Sequence, residues 1–380
     1  MPNLPYWRLS GFYFFFFAIL GALTPYWGPY LRSLGFSAAE IGELIAIINA
    51  TKIVAPNIWG WIADHSGMRL LLVRVAALAA LLSFAGVFVG SGYAWMALVM
   101  TVFSFFWNAA LPQFEANTMN HLGRDEHHYS RIRLWGSVGF IFSVLALGHA
   151  IDRYGIATLP YGILLLFVGM LLSSLLTPEQ RGEEEHDAQP AFLEVLKRPE
   201  VMGFFGACFM LQASHGPYYA FFSIYLQDYD YGGGVIGALW AWAVIAEIGV
   251  FLIMHRLLPV YGPRLLMTGA LLVAVVRWAL IARYAELLPV LIVAQTLHAA
   301  TYGVYHAVGI AVVNRYFRGR NQGRGQAFYT SATFGAGVAS GSLLSGYLWD
   351  PLGGSATFYL AAGLAAVAAA AAFRNLPRSL

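Results

Sequence analysis

The sequence predicts an all-α membrane protein of twelve transmembrane helices, arranged as two pseudo-symmetric six-helix bundles. Three observations carry this. Of the 380 residues 59% are apolar and only 11% charged, the apolar runs have helix length, and one long hydrophilic stretch divides them near the midpoint. A soluble domain carries about 25% charged residues. A helix needs about 20 mostly apolar residues to cross a ~30 Å hydrocarbon layer, where only helices and closed barrels satisfy their own backbone. The runs are too long for the alternating strands of about ten residues that build a barrel.

The first run, Phe12 to Leu31, lacks a small-residue cleavage site after it and reads as an uncleaved span. Pro25 and Pro29 in TPYWGPY are expected to bend it. Beside them, Tyr26 and Trp27 either wall a binding site or anchor the helix at the interface. Ser37 followed by Glu40 reads as a capping box that starts the second helix, along which Asn49, Lys52 and Asn57 form one polar stripe that could line a cavity. With these two, the runs give spans near 9–31, 39–60, 70–90, 93–121, 132–152 and 156–176, then 201–226, 235–258, 264–283, 287–313, 326–349 and 355–373.

TPEQRGEEEHDAQPAFLEVLKRPE separates the two sets, so an N-terminal bundle of residues 1–177 and a C-terminal bundle of 200–380 are expected around a cytoplasmic linker, 178–199. The halves look repeated. GMR at 67–69 recurs as GPR at 262–264, and GHAIDRYG at 148–155 is echoed by GYLWDPLG at 346–353. Parallel six-helix repeats are a transporter architecture with the substrate site near the midplane.

Orientation follows from the basic residues of the loops. With both termini in the cytoplasm, sixteen Lys and Arg fall on the inside and only Arg32, Arg153 and Arg283 on the outside. NRYFRGRNQGRG at 314–325 is then an inside loop and not a nucleic-acid patch. The expected location is a bacterial-type cytoplasmic (inner) membrane. Cys208 is the only cysteine, which excludes an internal disulfide, and no Cys/His cluster points to a metal. Neither HExxH nor GxSxG occurs, so an enzyme is not expected.

Five charges remain inside spans: Lys52, Arg133, Arg277, Glu115 and Glu247. Each costs at least about 2.5–3.5 kcal/mol at a helix centre, so each calls for a partner or a wet cavity. Glu115 and Arg133 flank the short hairpin HLGRDEHHYSR at comparable depths, which predicts an ion pair; the competing reading has Arg133 snorkel to the interface, as Arg131 is expected to do.

The segment FEANTMNHLGRDEHHYSRIRLWGSVGF resembles the fourth and fifth helices of the lactose permease type of sugar–proton symporter, in the major facilitator superfamily, and RxRLWGSVGF is similar to phenylpropionate permeases. The resemblance implies that Glu115 and Arg133 are the substrate-binding pair, with Phe140 where the permease has its sugar-stacking Trp. QTLHAAT at 295–301 resembles the tenth-helix signature, placing His298 at the histidine position, and Arg277 in VVRWAL matches the ninth-helix arginine. The permease's glutamate one turn beyond the histidine is Thr301 here, and its lysine one turn before is Gln295. Glu247 in WAVIAEIGVF is therefore the expected proton carrier, tuned by Arg277 and His298. GWIADHSGMR resembles the superfamily's loop between helices two and three. Gly60, Asp64, Gly67 and Arg69 keep its pattern, and His65 replaces its usual basic residue. This implies a cytoplasmic gate, against a plain connecting loop. His306, two turns after His298, is either part of the site or an ordinary satisfied polar group.

The expected function is secondary active transport by alternating access: proton-coupled uptake of a small organic solute, an aromatic carboxylate such as phenylpropionate or a sugar of the lactose type. The rivals are a nucleoside–proton symporter, a proton-driven effluxer and a transport-inactive sensor on the same fold. The substrate-binding candidates are Glu115, Arg133, Phe140, Tyr26, Trp27 and Lys52. No cofactor is expected beyond the proton as coupling ion. The expected partners are the solute, protons and the bilayer, with no nucleic acid, and the chain is expected to act as a monomer.

Overall fold

The computed structural model describes residues 4–123, 128–180, 192–318 and 321–377. Most of the expected linker, and the loop charges Arg124, Arg181, Arg320 and Arg378, lie outside the described residues. The described elements are helical throughout. They are α1 (Tyr6–Ser33), α2 (Ala38–Ser66), α3 (Arg69–Phe84), α4 (Tyr93–Leu122), α5 (Tyr129–Tyr154), α6 (Leu159–Leu176), the short α7 (Phe192–Leu196), α8 (Pro199–Ser214), α9 (Gly216–Gln227), α10 (Gly233–Tyr284), α11 (Leu288–Thr296), α12 (Tyr305–Tyr316), α13 (Asn321–Thr330) and α14 (Val338–Asn375). π-helical turns, Ala299–Val304 and Ser331–Gly337, lead into α12 and α14.

Seven helical stretches among the described residues are long and apolar enough to cross a membrane. Two of these, α10 and the run Asn321–Asn375, pass through a non-helical glycine, Gly262 and Gly353, so each holds two spans. Three more spans fall short for identifiable reasons. In α2 the apolar run is interrupted by Glu40, Glu43 and Lys52. The seventh is broken at His215 into α8 and α9, and the tenth is divided by the π turn between α11 and α12. The described helices thus make up the twelve spans.

Local chemistry accounts for the ends of α2. Both halves of the capping box form: Glu40 N–H donates to Ser37 Oγ, and Ser37 N–H donates to Glu40 Oε2 at 2.8 Å. Gly67 closes the helix at φ 66°, a left-handed position that disfavours any side chain. The repeat is visible in the same terms. Gly155 (φ 85°, ψ 162°) and Gly353 (φ 82°, ψ 160°), the last residues of the two matched octapeptides, share one backbone conformation.

The chain forms two compact units: the described residues of Met1–Glu40, Ala50–Glu184 and Gly232–Ala238, and those of Ile41–Asn49, Glu185–Tyr231 and Leu239–Leu380. In the first, α1 packs along α5 and α6, and α3 along α4. Small residues let the first seam close. A Cβ on Gly21 would lie 2.8 Å from the Phe140 carbonyl, and one on Gly139 would strike that of Phe14. In the second unit α14 packs along α8 and α9, where Gly216 and Gly341 face each other and Gly341 meets the Ala213 carbonyl. The equivalent seams of the two repeats are therefore closed by the same device.

Candidate functional site

Two polar clusters lie within these apolar helices, one in each unit. In the first, α4 supplies Glu115 and α5 supplies Arg133, with Arg133 Nε 4.0 Å from Glu115 Oε1 and both side chains about one-third exposed. Glu115 also accepts a hydrogen bond from Tyr129 at 3.0 Å. The Arg133 guanidinium lies over the Phe17 ring at 3.8 Å and 5.8 Å from the Tyr13 ring, contacts of about 0.5–2 kcal/mol. Among the described residues no acceptor lies within hydrogen-bonding distance of its five N–H donors. Gly136, one turn on, gives it room: a Cβ there would lie 2.6 Å from Arg133 Nη1. Arg131, by contrast, is exposed.

The other first-unit candidates have different surroundings. Phe140 is buried against Gly21 of α1. The Tyr26 hydroxyl lies 2.6 Å from the Val144 carbonyl, to which it donates, with that of Gly233 at 3.1 Å. Trp27 is buried against Tyr30 and Phe84. Lys52 is half-buried beside a seam in which Asn108 donates to Thr51 and Thr51 to Ser104, each at 2.9 Å. Asn57 turns its amide back onto Ile53 of its own helix, and in the second unit Asn49 does the same onto Ile45.

At the loop between α2 and α3, Arg69 donates to Asp64 and, at 2.9 Å, to Gln113 of α4. Gly60 lies near that same glutamine. His65 bonds the Trp61 carbonyl at 2.8 Å. Glu179, just beyond α6, accepts from the Leu70 N–H at the start of α3. Asn117 and Asn120 hold the carbonyls of Pro178 and Gln180.

The second cluster gathers around Arg277, which is fully buried. Its donors reach three neutral acceptors: the Ala294 carbonyl at 3.0 Å, Thr301 Oγ1 at 3.1 Å and Gln295 Oε1 at 2.9 Å. The guanidinium lies over the rings of Tyr218 and Trp278 at 4.2 and 4.5 Å. Glu247 Oε2 lies 3.6 Å from His298 Nε2. His298 stacks on Tyr302 at 5.4 Å, and Tyr302 on His306 at 5.9 Å. The π turn runs through this place, and such turns recur at functional sites.

Sequence reasoning missed His215, Tyr218 and Asp152. His215 is a lone histidine in the apolar run QASHGPYY, and the Gly216–Pro217 pair after it is the only local sign of the break it occupies. Asp152 takes the first N–H groups of α10, from Gly233 at 2.5 Å and Gly234 at 2.8 Å. The YGGG run at 231–234, where α10 starts, was the available signal.

Comparison with known proteins agrees with this fold. The chain is 28% identical to the probable 3-phenylpropionic acid transporter of Escherichia coli (strain K12), over 91% of this chain and 92% of that one. It is 27% identical to the maltose permease of Geobacillus stearothermophilus, over 89% and 86%. Its fold matches crystal structures of the nucleoside transporter NupG (TM-score 0.84, 18% identity, 97% and 98% covered) and of an auto-inhibited POT family peptide transporter (TM-score 0.77, 11% identity, 98% and 96% covered). The model of the MFS_1 like family matches residues 6–360, and the chain belongs to that family of major facilitator superfamily membrane transporters.

Proposed function

We propose that the protein takes up an aromatic carboxylate together with a proton by alternating access. The observation that carries this reading is the state of Arg133: a half-buried guanidinium lying on the Phe17 face, with its planar fork of donors not taken up by any described acceptor. Such a fork fits a carboxylate bidentately, and the rings of Phe17 and Tyr13 provide an apolar wall for an aromatic body. The likeness to a probable 3-phenylpropionic acid transporter supports the same cargo.

The Glu247–His298 contact is the coupling element in this proposal. An imidazole and a carboxylate this close can share a proton and release it when their separation changes. Arg277 fixes the helices around them, because its three bonds tie α10 to α11 and the π turn. The protein would work as a monomer in the cytoplasmic membrane, with both termini inside, as the bias of basic loop residues supports.

A sugar is the second reading, favoured by the likeness to a maltose permease and by Glu115 and Tyr129, whose oxygens could accept from sugar hydroxyls. A thermal-shift screen of the purified protein against aromatic acids, sugars and nucleosides decides between them. Stabilisation by 3-phenylpropionate and not by maltose or uridine supports the proposal, and the reverse sinks it.

A further inference from the structure

We infer that binding of the acid at Arg133 takes up a proton at Glu115, a second proton beside the one proposed for Glu247 and His298. The inference rests on the reading of the cargo as an aromatic carboxylate.

The groups involved all lie in the first unit. Glu115 Oε1 stands 4.0 Å from Arg133 Nε, too far for a hydrogen bond, and is held instead by the Tyr129 hydroxyl, which donates to it at 3.0 Å. The carboxylate is therefore fixed beside the guanidinium without occupying its donors. Among the described residues nothing donates to Glu115 Oε2.

Neighbouring elements add no second cation. From α5, Arg133 and Tyr129 face Glu115; from α1, Tyr13 does, with its hydroxyl already turned to Thr118 Oγ1 at 3.3 Å. Among the described residues α2 and α3 pair no charged group with it. One guanidinium thus balances one carboxylate, and the Phe17 ring under Arg133 adds no charge of its own.

A cargo carboxylate on the open edge of Arg133 sets two carboxylates against that single cation. Two such groups in one half-buried site cannot both stay ionised, so one of them takes a proton. The cargo receives the charged donors of the fork directly, which holds it in its ionised form. Glu115 has one neutral donor and an open oxygen, and it is the group that protonates. The proton comes from water on the side where the acid binds and returns to water where the acid leaves. Empty, the site holds the Glu115 anion and the Arg133 cation; loaded, it holds neutral Glu115, the Arg133 cation and the cargo anion. Both forms are neutral, so neither brings an unbalanced charge into the apolar layer.

The test is calorimetric titration of the full chain in nanodiscs with 3-phenylpropionate, at about pH 7, where the acid itself is ionised, in buffers of different ionisation enthalpy. Proton uptake on binding should be greater by about one in the unaltered protein than in Glu115→Gln, whose amide stands in for the protonated carboxyl. Affinity should also fall more steeply with rising pH in the unaltered protein, by up to about tenfold per pH unit, the slope that one linked proton gives. A Glu115 that only positions Arg133 would lose affinity in Glu115→Gln with the uptake unchanged. A second measurement needs no variant: infrared difference spectra taken with the acid isotope-labelled in its carboxyl group should show a protonated-carboxyl band appear at the unlabelled frequency. No new band, or one that moves with the label, overturns the inference. If the acid binds with equal uptake in the two proteins, only this inference falls. If it does not bind, the proposed cargo falls with it.

Discussion

Glu247 and His298 face each other across 3.6 Å inside the second unit, on helices whose sequences lie far apart. The side chains are 16% and 7% exposed, so a change in the protonation of either is felt by the other with little screening. This makes the pair the first place to cut. Glu247→Gln should hold the substrate at its equilibrium level under an imposed pH gradient while counterflow exchange in proteoliposomes continues. Accumulation at the unaltered level would remove Glu247 from the coupling step.

Arg133→Lys keeps the charge and loses the fork. Loss of a bidentate, charge-assisted contact is worth about 1.5–3 kcal/mol, so affinity for 3-phenylpropionate should drop roughly tenfold to a hundredfold. Affinity within a factor of two, measured by titration, would leave Arg133 as an interfacial anchor.

Arg277→Met should act on stability as well as transport. It takes the donor away from Thr301 Oγ1 and from the Ala294 carbonyl in an apolar interior, at about 1–3 kcal/mol for each group left unsatisfied, and leaves Gln295 Oε1 with the Tyr218 hydroxyl as donor. The melting temperature in detergent should fall by several degrees. A melting curve that overlays the unaltered one contradicts this account of the cluster.

Asp152→Ala removes the carboxylate that accepts from Gly233 and Gly234 at the start of α10. Loss of such a cap costs about 0.5–2 kcal/mol. Amide hydrogen exchange at residues 233–236 should quicken in Asp152→Ala and much less in Asp152→Asn, which keeps one acceptor. Unchanged exchange in the alanine variant would show that the cap carries no weight.

The parts of this molecule that could be read in its sequence are those governed by local rules. Apolar run length marks the spans, Ser37 and Glu40 mark the start of α2, and the hairpin after α4 puts Glu115 and Arg133 at one depth. The parts that could not be read depend on tertiary contact. Glu247 and His298 were associated through resemblance and not through spacing. Nothing in QASHGPYY says that its histidine ends against Trp278, and no local rule joins Asp152 to a helix that starts 81 residues later. The helix count by length alone falls short for a related reason. π turns, internal glycines and buried charges interrupt or merge the apolar runs.

The matching joints at Gly155 and Gly353 separate two kinds of constraint. At each, the backbone takes an angle that L side chains disfavour, so both repeats hold the same residue at the same turn. Their chemistry is not held in common. One half carries a carboxylate, an arginine and a phenyl ring, and the other a carboxylate, two histidines and an arginine sealed among neutral groups. A scaffold that repeats its turns and leaves its linings free lets the polar groups of one unit differ from those of the other without a change in how either folds.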